Sequence, residues 1–191
     1  AVLTDQPDLE LVLIDREPPD GFTDVVAGRL DVMVTHTYSG IEMDVPASLA
    51  VAPLLRDELV LLVPEQHWCS PQVRLADLAG ERWISGPADA QNHVALEWAA
   101  HRAGFRPEVA FETTDYAVTM TLVANGLGPA FVPRLILESR PTGVRVVGVT
   151  DDLDLHRQIS VVHRDPIRSE VVGSVVRELH VAADTAARMA P

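Results

Sequence analysis

The chain has 191 residues, of which 47% are hydrophobic and 23% charged, and its 28 acidic residues against 15 basic ones give a formal net charge of −13. Nucleic-acid binding draws on clustered positive charge to neutralise phosphates, so these residues are not expected to hold DNA. Every basic residue is an arginine, which excludes a lysine Schiff base and the lysine of a phosphate-binding G-x-x-x-x-G-K loop.

Hydrophobic stretches and cysteine usage narrow the class of protein further. No apolar run reaches the roughly 18 residues that a membrane-spanning helix needs, and the N-terminus lacks the basic-then-apolar pattern of a secretion signal. We therefore expect a cytoplasmic protein with no membrane partner. Cys69 is the single cysteine, so no disulfide within the chain is possible, and we interpret it as an inert small side chain. No cofactor is expected.

The first third of the chain alternates between strand and helix patterns. Apolar residues predict a strand over residues 9–14, a short helix over residues 21–27 and a strand over residues 28–35, which together form one βαβ unit. The continuous apolar run over residues 57–64 is typical of a strand that is buried on both faces. The later predicted elements are a short segment over residues 75–78, strands over 82–85, 107–112 and 157–163, and helices over 92–103 and 167–187.

Residues 122–133 contain an apolar helix that runs into two glycines, a short strand and a proline. Gly126 fits the left-handed residue that ends a helix, and Gly128 permits a close approach between backbones. Pro133 ends the strand. Taken alone, this pattern is an ordinary joint of any α/β protein. It is not a nucleotide-binding loop, because its glycines follow a helix instead of opening one after a strand.

Four motifs occur in a fixed order along the chain: GRLDVMV at 28–34, DELVLLVPEQH at 57–67, LADL at 75–78 and LVANGLGPAFVP at 122–133. In this order and spacing the chain resembles the effector-binding domain of LysR-type transcriptional regulators, from about residue 1 to about residue 183. The resemblance implies an α/β, two-lobed fold like that of periplasmic binding proteins, each lobe a mostly parallel sheet flanked by helices. It also implies a small-molecule effector held between the lobes, and no catalysis.

Two crossover hinges between the lobes are predicted, at residues 64–67 and within the strand at 157–163. The first lobe then comprises residues 1 to about 65 and about 162–191, and the second comprises residues 66–161. Family members have an earlier strand, a loop and most of a helix before this segment, and an N-terminal winged helix-turn-helix before those. Both are absent from this sequence, so we expect a fragment whose DNA-binding activity lies outside these residues.

Candidate effector-binding residues follow three predicted strands, because ligands of open α/β sheets bind beyond the carboxyl ends of strands. The resemblance implies that similar positions line the effector cleft. Thr113 or Thr114 is predicted to cap the following helix, and the polar run at residues 89–92 to cap the earlier one. The candidates are Thr35 and His36 after the first strand, Ser85 and Gly86 after the second, Thr113, Thr114 and Tyr116 after the third, and Phe131 in the short strand.

Each candidate also has an explanation that needs no ligand. Serine and threonine at a helix start satisfy free N–H groups by default. Tyr116 can pack on its own sheet, His36 can lie in solvent, and Phe131 sits where apolar strand residues usually face the core.

Other site chemistries find little support. His93, Glu97 and His101 fall along one helical face, but they span roughly 12 Å along the axis, so a solvated helix face is favoured over a metal site. No G-x-S-x-G elbow occurs, since Ser39 and Ser85 lack the preceding glycine, and a serine hydrolase is therefore not expected. No catalytic residue is predicted.

The leading hypothesis is the sensory part of a dimeric or tetrameric transcription factor, which contacts DNA only through a helix-turn-helix domain outside this chain. The resemblance implies that the helix around residues 115–124 takes part in dimerisation. The alternatives are a stand-alone solute-binding protein that serves a transporter and an enzyme on a similar scaffold. Hydroxyls and helix N-termini suit a small organic acid as effector, although the three loops offer no dedicated arginine and neutral ligands remain open.

Overall fold

The computed structural model describes residues 9–66, 70–139 and 141–189, so Cys69 lies outside the described residues. The helices are α1 (Asp20–Val26), α2 (Gln91–Arg102), α3 (Tyr116–Ala124) and α4 (Glu170–Met189), and short 3₁₀ helices cover Leu75–Leu78 and Arg134–Ser139. The strands are β1 (Val32–Tyr38), β2 (Leu49–Pro64), β3 (Gln72–Val73), β4 (Arg82–Ser85), β5 (Glu108–Glu112), β6 (Ala130–Pro133), β7 (Val144–Val149) and β8 (His156–Arg164).

The chain divides into two compact units, each described here from its own residues. Unit 1 comprises the described residues within 1–37, 42–56 and 158–191, and unit 2 comprises those within 38–41 and 57–157. β2 passes from unit 1 to unit 2 after Arg56, whereas the sequence places the first hinge at residues 64–67. Residues 49–56 and the apolar run at 57–64 form one continuous strand. No break in the sequence pattern therefore marks the passage from unit 1 to unit 2.

Unit 1 is built around the strands β1, β8 and β2, with β8 between the other two. Its core contains Phe22 and Val25 of α1 together with Met33, Leu49 and Val162. The helix predicted over residues 167–187 is confirmed as α4.

The strand predicted over residues 9–14 is wrong, because this segment is irregular and exposed, with Leu13 85% accessible. Its backbone pairs with no strand among the described residues, and apolar residues alone do not form a strand without a partner for their N–H and C=O groups.

Unit 2 has mixed strand pairing. The second half of β2 pairs antiparallel with β6, Leu62 opposite Ala130, and with β7, Leu61 opposite Val147. β7 pairs in parallel with β3, and β4 pairs in parallel with β5. The α/β class is therefore confirmed, with sheets in unit 2 that are mixed rather than mostly parallel.

Strand β4 is buried on both faces, because neighbouring residues of a strand point to opposite sides. Trp83 lies in one cluster with Leu61 and Leu96, and it stacks on Phe105 and Phe131 at ring-centroid distances of 6.3 and 5.8 Å. Ile84 lies in a second cluster with Met120 and Val132. Packing against a cluster on each face fixes the position of β4 and of its last residue, Ser85.

The turn from α3 into β6 follows the glycine prediction. Gly126 has φ +76° and Gly128 has φ +148°, both in the region that favours glycine. A Cβ at Gly128 would overlap the carbonyl oxygen of Arg82. The turn therefore brings the chain directly against the backbone of β4.

Replacing Gly128 with alanine is expected to destabilise the protein by about 3 kcal/mol or more, because the methyl group meets backbone that cannot move aside and the residue keeps a positive φ. Gly80→Ala is the matched control, since a Cβ there has nothing within 4 Å, and it should change stability by less than about 0.5 kcal/mol. Urea unfolding of both variants measures the difference, and equal stabilities would contradict the close approach.

Candidate functional site

The carboxyl ends of β4 and β5 lie side by side in unit 2. The two strands run parallel with Ser85 opposite Glu112, and the backbone N–H of Thr113 donates to the carbonyl of Ser85 at 2.8 Å. The parallel pairing therefore brings together the Ser85–Gly86 and Thr113–Thr114 candidates, as expected for strand ends at one edge of a sheet.

Ser85 is a largely buried residue whose hydroxyl still reaches solvent; among the described residues, the buried side-chain polar atom without a hydrogen-bond partner is Nε1 of Trp83. The residue is 6% exposed, and its hydroxyl makes no hydrogen bond within the described part of the chain. Gly86, next to it, is also buried, and a Cβ there would overlap the side chain of Asn92 and come within 2.8 Å of Ala90. Glycine at this position allows the β4 loop to pack tightly against the start of α2.

The first turn of α2 leaves backbone donors available. Its N-cap residue is Ala90, which has no side chain to accept a hydrogen bond, so the predicted capping by the polar run at 89–92 is corrected. Asn92 lies inside the helix, and its side-chain oxygen accepts from the N–H of His93 at 3.0 Å. Among the described residues, nothing accepts from the N–H groups of Gln91 and Asn92.

Helix α3 is capped by Asp115, and not by Thr113 or Thr114 as the sequence predicts. The Asp115 carboxylate accepts from the N–H groups of Ala117 at 2.7 Å and Val118 at 3.3 Å. The Thr113 hydroxyl accepts from the N–H of Asp115 at 3.2 Å and so shapes the turn before the helix. Thr114 is exposed. The helix begins later than predicted, and the residue next to its first turn takes the cap.

Asp115→Ala is expected to cost about 1 kcal/mol of unfolding free energy, because two N–H groups of α3 lose their acceptor. Asp115→Asn, which keeps a side-chain oxygen, should cost less. Thr113→Ala should be the milder of the two alanine substitutions when all three are compared by chemical denaturation. A larger loss of stability for Thr113→Ala than for Asp115→Ala would indicate that Thr113 caps α3.

Tyr116, the first residue of α3, is half-buried and its hydroxyl is hydrogen-bonded to that of Tyr38. Tyr38 is the last residue of β1 and is 3% exposed. Its backbone N–H donates to the side-chain oxygen of Gln91 at 3.3 Å. Tyr38 and Gln91 are therefore part of the candidate site. The sequence analysis missed Tyr38 because it ended the first strand at residue 35, and it considered Gln91 only as part of the polar run at 89–92.

Both phenols of this pair stay neutral. Burial raises the pKa of Tyr38 well above its ordinary range, with the neighbouring Tyr116 adding to the effect. Burial also raises the pKa of Tyr116. Two neutral hydroxyls can share a hydrogen bond in which one donates and the other accepts.

The raised pKa of the tyrosine pair predicts a loss of stability in alkali. A group whose pKa in the folded protein exceeds its ordinary value of 10.0 stabilises the fold below about pH 10, and this contribution falls as the pH rises towards the folded value. The free energy of unfolding of the wild type should therefore decline more steeply between pH 9.5 and 11 than that of Tyr38→Phe, in urea titrations at each pH. Equal slopes would mean that burial does not shift the pair.

The other three candidates, Thr35, His36 and Phe131, do not follow β4 or β5. Thr35 is 5% exposed and His36 half-buried, and both lie inside β1 in unit 1 and not beyond its end, because the strand continues to Tyr38. Phe131 stacks on Trp83 in a core cluster of unit 2. Unit 2 thus brings together Ser85, Gly86, Thr113, Thr114 and Tyr116, and the assignment of all eight residues to effector binding stays a prediction.

Residues 1–182 match the family model described as LysR substrate binding domain. The chain belongs to this family. Among curated proteins it is 28% identical over 159 residues to the uncharacterised HTH-type transcriptional regulator YcgK of Bacillus subtilis, a match that covers 72% of this chain and 47% of that protein. The chain therefore spans about half the length of this relative.

Solved structures of LysR-type regulators share the fold of this LysR substrate binding domain. The regulatory domain of Synechocystis PCC6803 CcmR in complex with 2-PG has a TM-score of 0.79 at 16% identity, with 95% of this chain and 86% of that chain covered. Full-length CbnR complexed with its target DNA has a TM-score of 0.77 at 16% identity, with 95% and 63% covered. The two-lobed fold expected from the sequence is confirmed by these neighbours.

The two histidines and the glutamate that the sequence places on one face of α2 differ in burial. His93 is 9% exposed and its Nδ1 lies 2.9 Å from the carbonyl oxygen of Gly86, so it does not lie on a solvated face as predicted. Glu97, 3.8 Å from its Nε2, and His101 are exposed. Within the described ranges, no cluster of three or more His, Cys, Asp or Glu side chains is placed to hold a metal ion, and no helix is long and apolar enough to cross a membrane.

Proposed function

We propose that this chain is the effector-sensing part of a LysR-type transcriptional regulator, and that a small-molecule effector binds at the carboxyl ends of β4 and β5. The observation that carries the proposal is the Ser85 hydroxyl, which makes no hydrogen bond among the described residues and follows β4 beside the first turn of α2, where the N–H groups of Gln91 and Asn92 also have no acceptor. Because no group of the described chain uses this hydroxyl, a ligand oxygen can accept from it.

The donors at this site favour a small organic acid. Ser85 offers a hydroxyl, and Gln91 and Asn92 offer free backbone N–H groups at the positive end of the α2 dipole. Amides at a helix N-terminus and hydroxyls together suit a carboxylate. The loops at 86–90 and 113–115 contain no arginine, so recognition rests on hydrogen bonds from neutral groups.

The proposed output is a population shift. An effector that binds one conformation better than another moves the equilibrium by its differential affinity, and a useful switch needs about 1 to 3 kcal/mol of coupling. We assign DNA contact to a helix-turn-helix domain outside these residues, with assembly as a dimer or tetramer in the cytoplasm and without catalysis. The similarity to a protein described as an HTH-type regulator favours this role over that of a solute carrier or an enzyme.

Thermal unfolding with matched acid and amide pairs tests the proposal. Malonate and benzoate are compared with malonamide and benzamide, and 2-PG is added as a further acid. An acid at 100 times its dissociation constant should add about 2.7 kcal/mol of stability. We expect at least one acid to stabilise the wild type more than its amide does.

Ser85→Ala should weaken that acid about tenfold, the effect of losing one hydrogen bond to a charged acceptor. Ser174→Ala in α4 of unit 1 is the matched control, because its hydroxyl accepts from Arg177, and it should leave the shift unchanged. If Ser85→Ala retains the full stabilisation by the acid, the site is misplaced.

A further inference from the structure

We propose that Tyr38 is a positioning residue whose two hydrogen bonds, here called the lock, hold the starts of α2 and α3 in a fixed relative position. These two helix starts are the walls of the candidate effector site. The inference rests on the proposed function for the identity of the site. It concerns a residue that neither the sequence motifs nor the candidate set contains.

Tyr38 makes one hydrogen bond to each wall. Its backbone N–H donates to Gln91, the first residue of α2, at 3.3 Å, and its hydroxyl is bonded to that of Tyr116, the first residue of α3. Tyr38 is 3% exposed, and both of its partners, Gln91 and Tyr116, are half-buried. The two helices follow the two strand ends that carry Ser85 and Thr113.

The position of Tyr38 in the chain gives the lock a second consequence. Tyr38 is the last residue of β1, and residues 38–41 cluster with unit 2 although residues 37 and 42 cluster with unit 1. A ligand that displaces Tyr116 or Gln91 therefore also displaces Tyr38, at the end of β1.

Hydrogen exchange of single backbone amides, followed by NMR in the ligand-free protein, tests the lock. Tyr116→Phe removes one hydroxyl and keeps the ring. We expect the Tyr38 amide, which does not contact the changed atom, to exchange about tenfold faster, because Tyr38 loses one of the two bonds that hold it and its N–H then separates from Gln91 more often. Gln91→Ala should in turn speed exchange of the Ala117 and Val118 amides of α3. Core amides such as those of Trp83 and Val132 should keep their wild-type rates.

Thr121→Val is the matched control, since it removes an exposed hydroxyl from the same helix, where Thr121 donates to the Ala117 carbonyl at 2.8 Å. It should leave the Tyr38 amide unchanged. An unchanged Tyr38 amide in Tyr116→Phe, or an equal acceleration in Thr121→Val, overturns the positioning role. A uniform acceleration that includes the core amides also overturns it, because it reports a general loss of stability.

The acid and amide titrations separate this inference from the proposed function. If the exchange responses appear but no acid stabilises the wild type, the lock is supported and the effector chemistry fails. If an acid binds and Tyr38→Phe weakens it as much as Tyr116→Phe does, with far-ultraviolet circular dichroism unchanged, both are supported. If Tyr38→Phe leaves acid binding and the α2 amides untouched, the lock is overturned while the site stands.

Discussion

The contact between the backbone of Gly128 and the carbonyl of Arg82 is the constraint on which the site depends. It lets the turn after α3 lie directly on β4, and the N–H of Ile84 then donates to the carbonyl of Pro129 at 3.0 Å. β4 is held by this bond, by β5 and by a core cluster on each face. Because these contacts hold β4 along its length, the position of its last residue, Ser85, is fixed as well.

The fixed end of β4 explains how an unpaired hydroxyl comes to lie on a largely buried residue. Strand alternation carries Ser85 to an inward position after Trp83 and Ile84, and its carbonyl is already used by Thr113. Gly86 then lets α2 begin close by, with a first turn that no side chain caps. The donors are thus placed by backbone geometry, which holds them in position before any ligand arrives.

Local patterns predicted much of this framework. The strand at 82–85, the helix predicted over 92–103 and found over 91–102, the strand that ends at 112 and the two glycines were all visible, because apolar periodicity and positive-φ residues report local conformation. Two features were not. The Asp115 cap depends on the residue at which α3 starts, and sequence patterns do not fix helix ends to one residue. The Tyr38–Tyr116 bond joins positions 78 apart, and no local pattern encodes a contact at that separation.

The character of the donors limits how strongly an acid can be distinguished from its amide. A hydrogen bond to a charged acceptor contributes about 1.5 to 3 kcal/mol and a neutral one about 0.5 to 1.5, so each donor typically adds roughly a tenfold preference. The net charge of −13 opposes anions, but at physiological salt its reach is only about 8 Å. Preference for an acid must therefore come from several aligned donors acting together. Tyr38 bonds to two of the helices that carry them, so alignment at this site depends on a residue that does not itself need to touch the ligand.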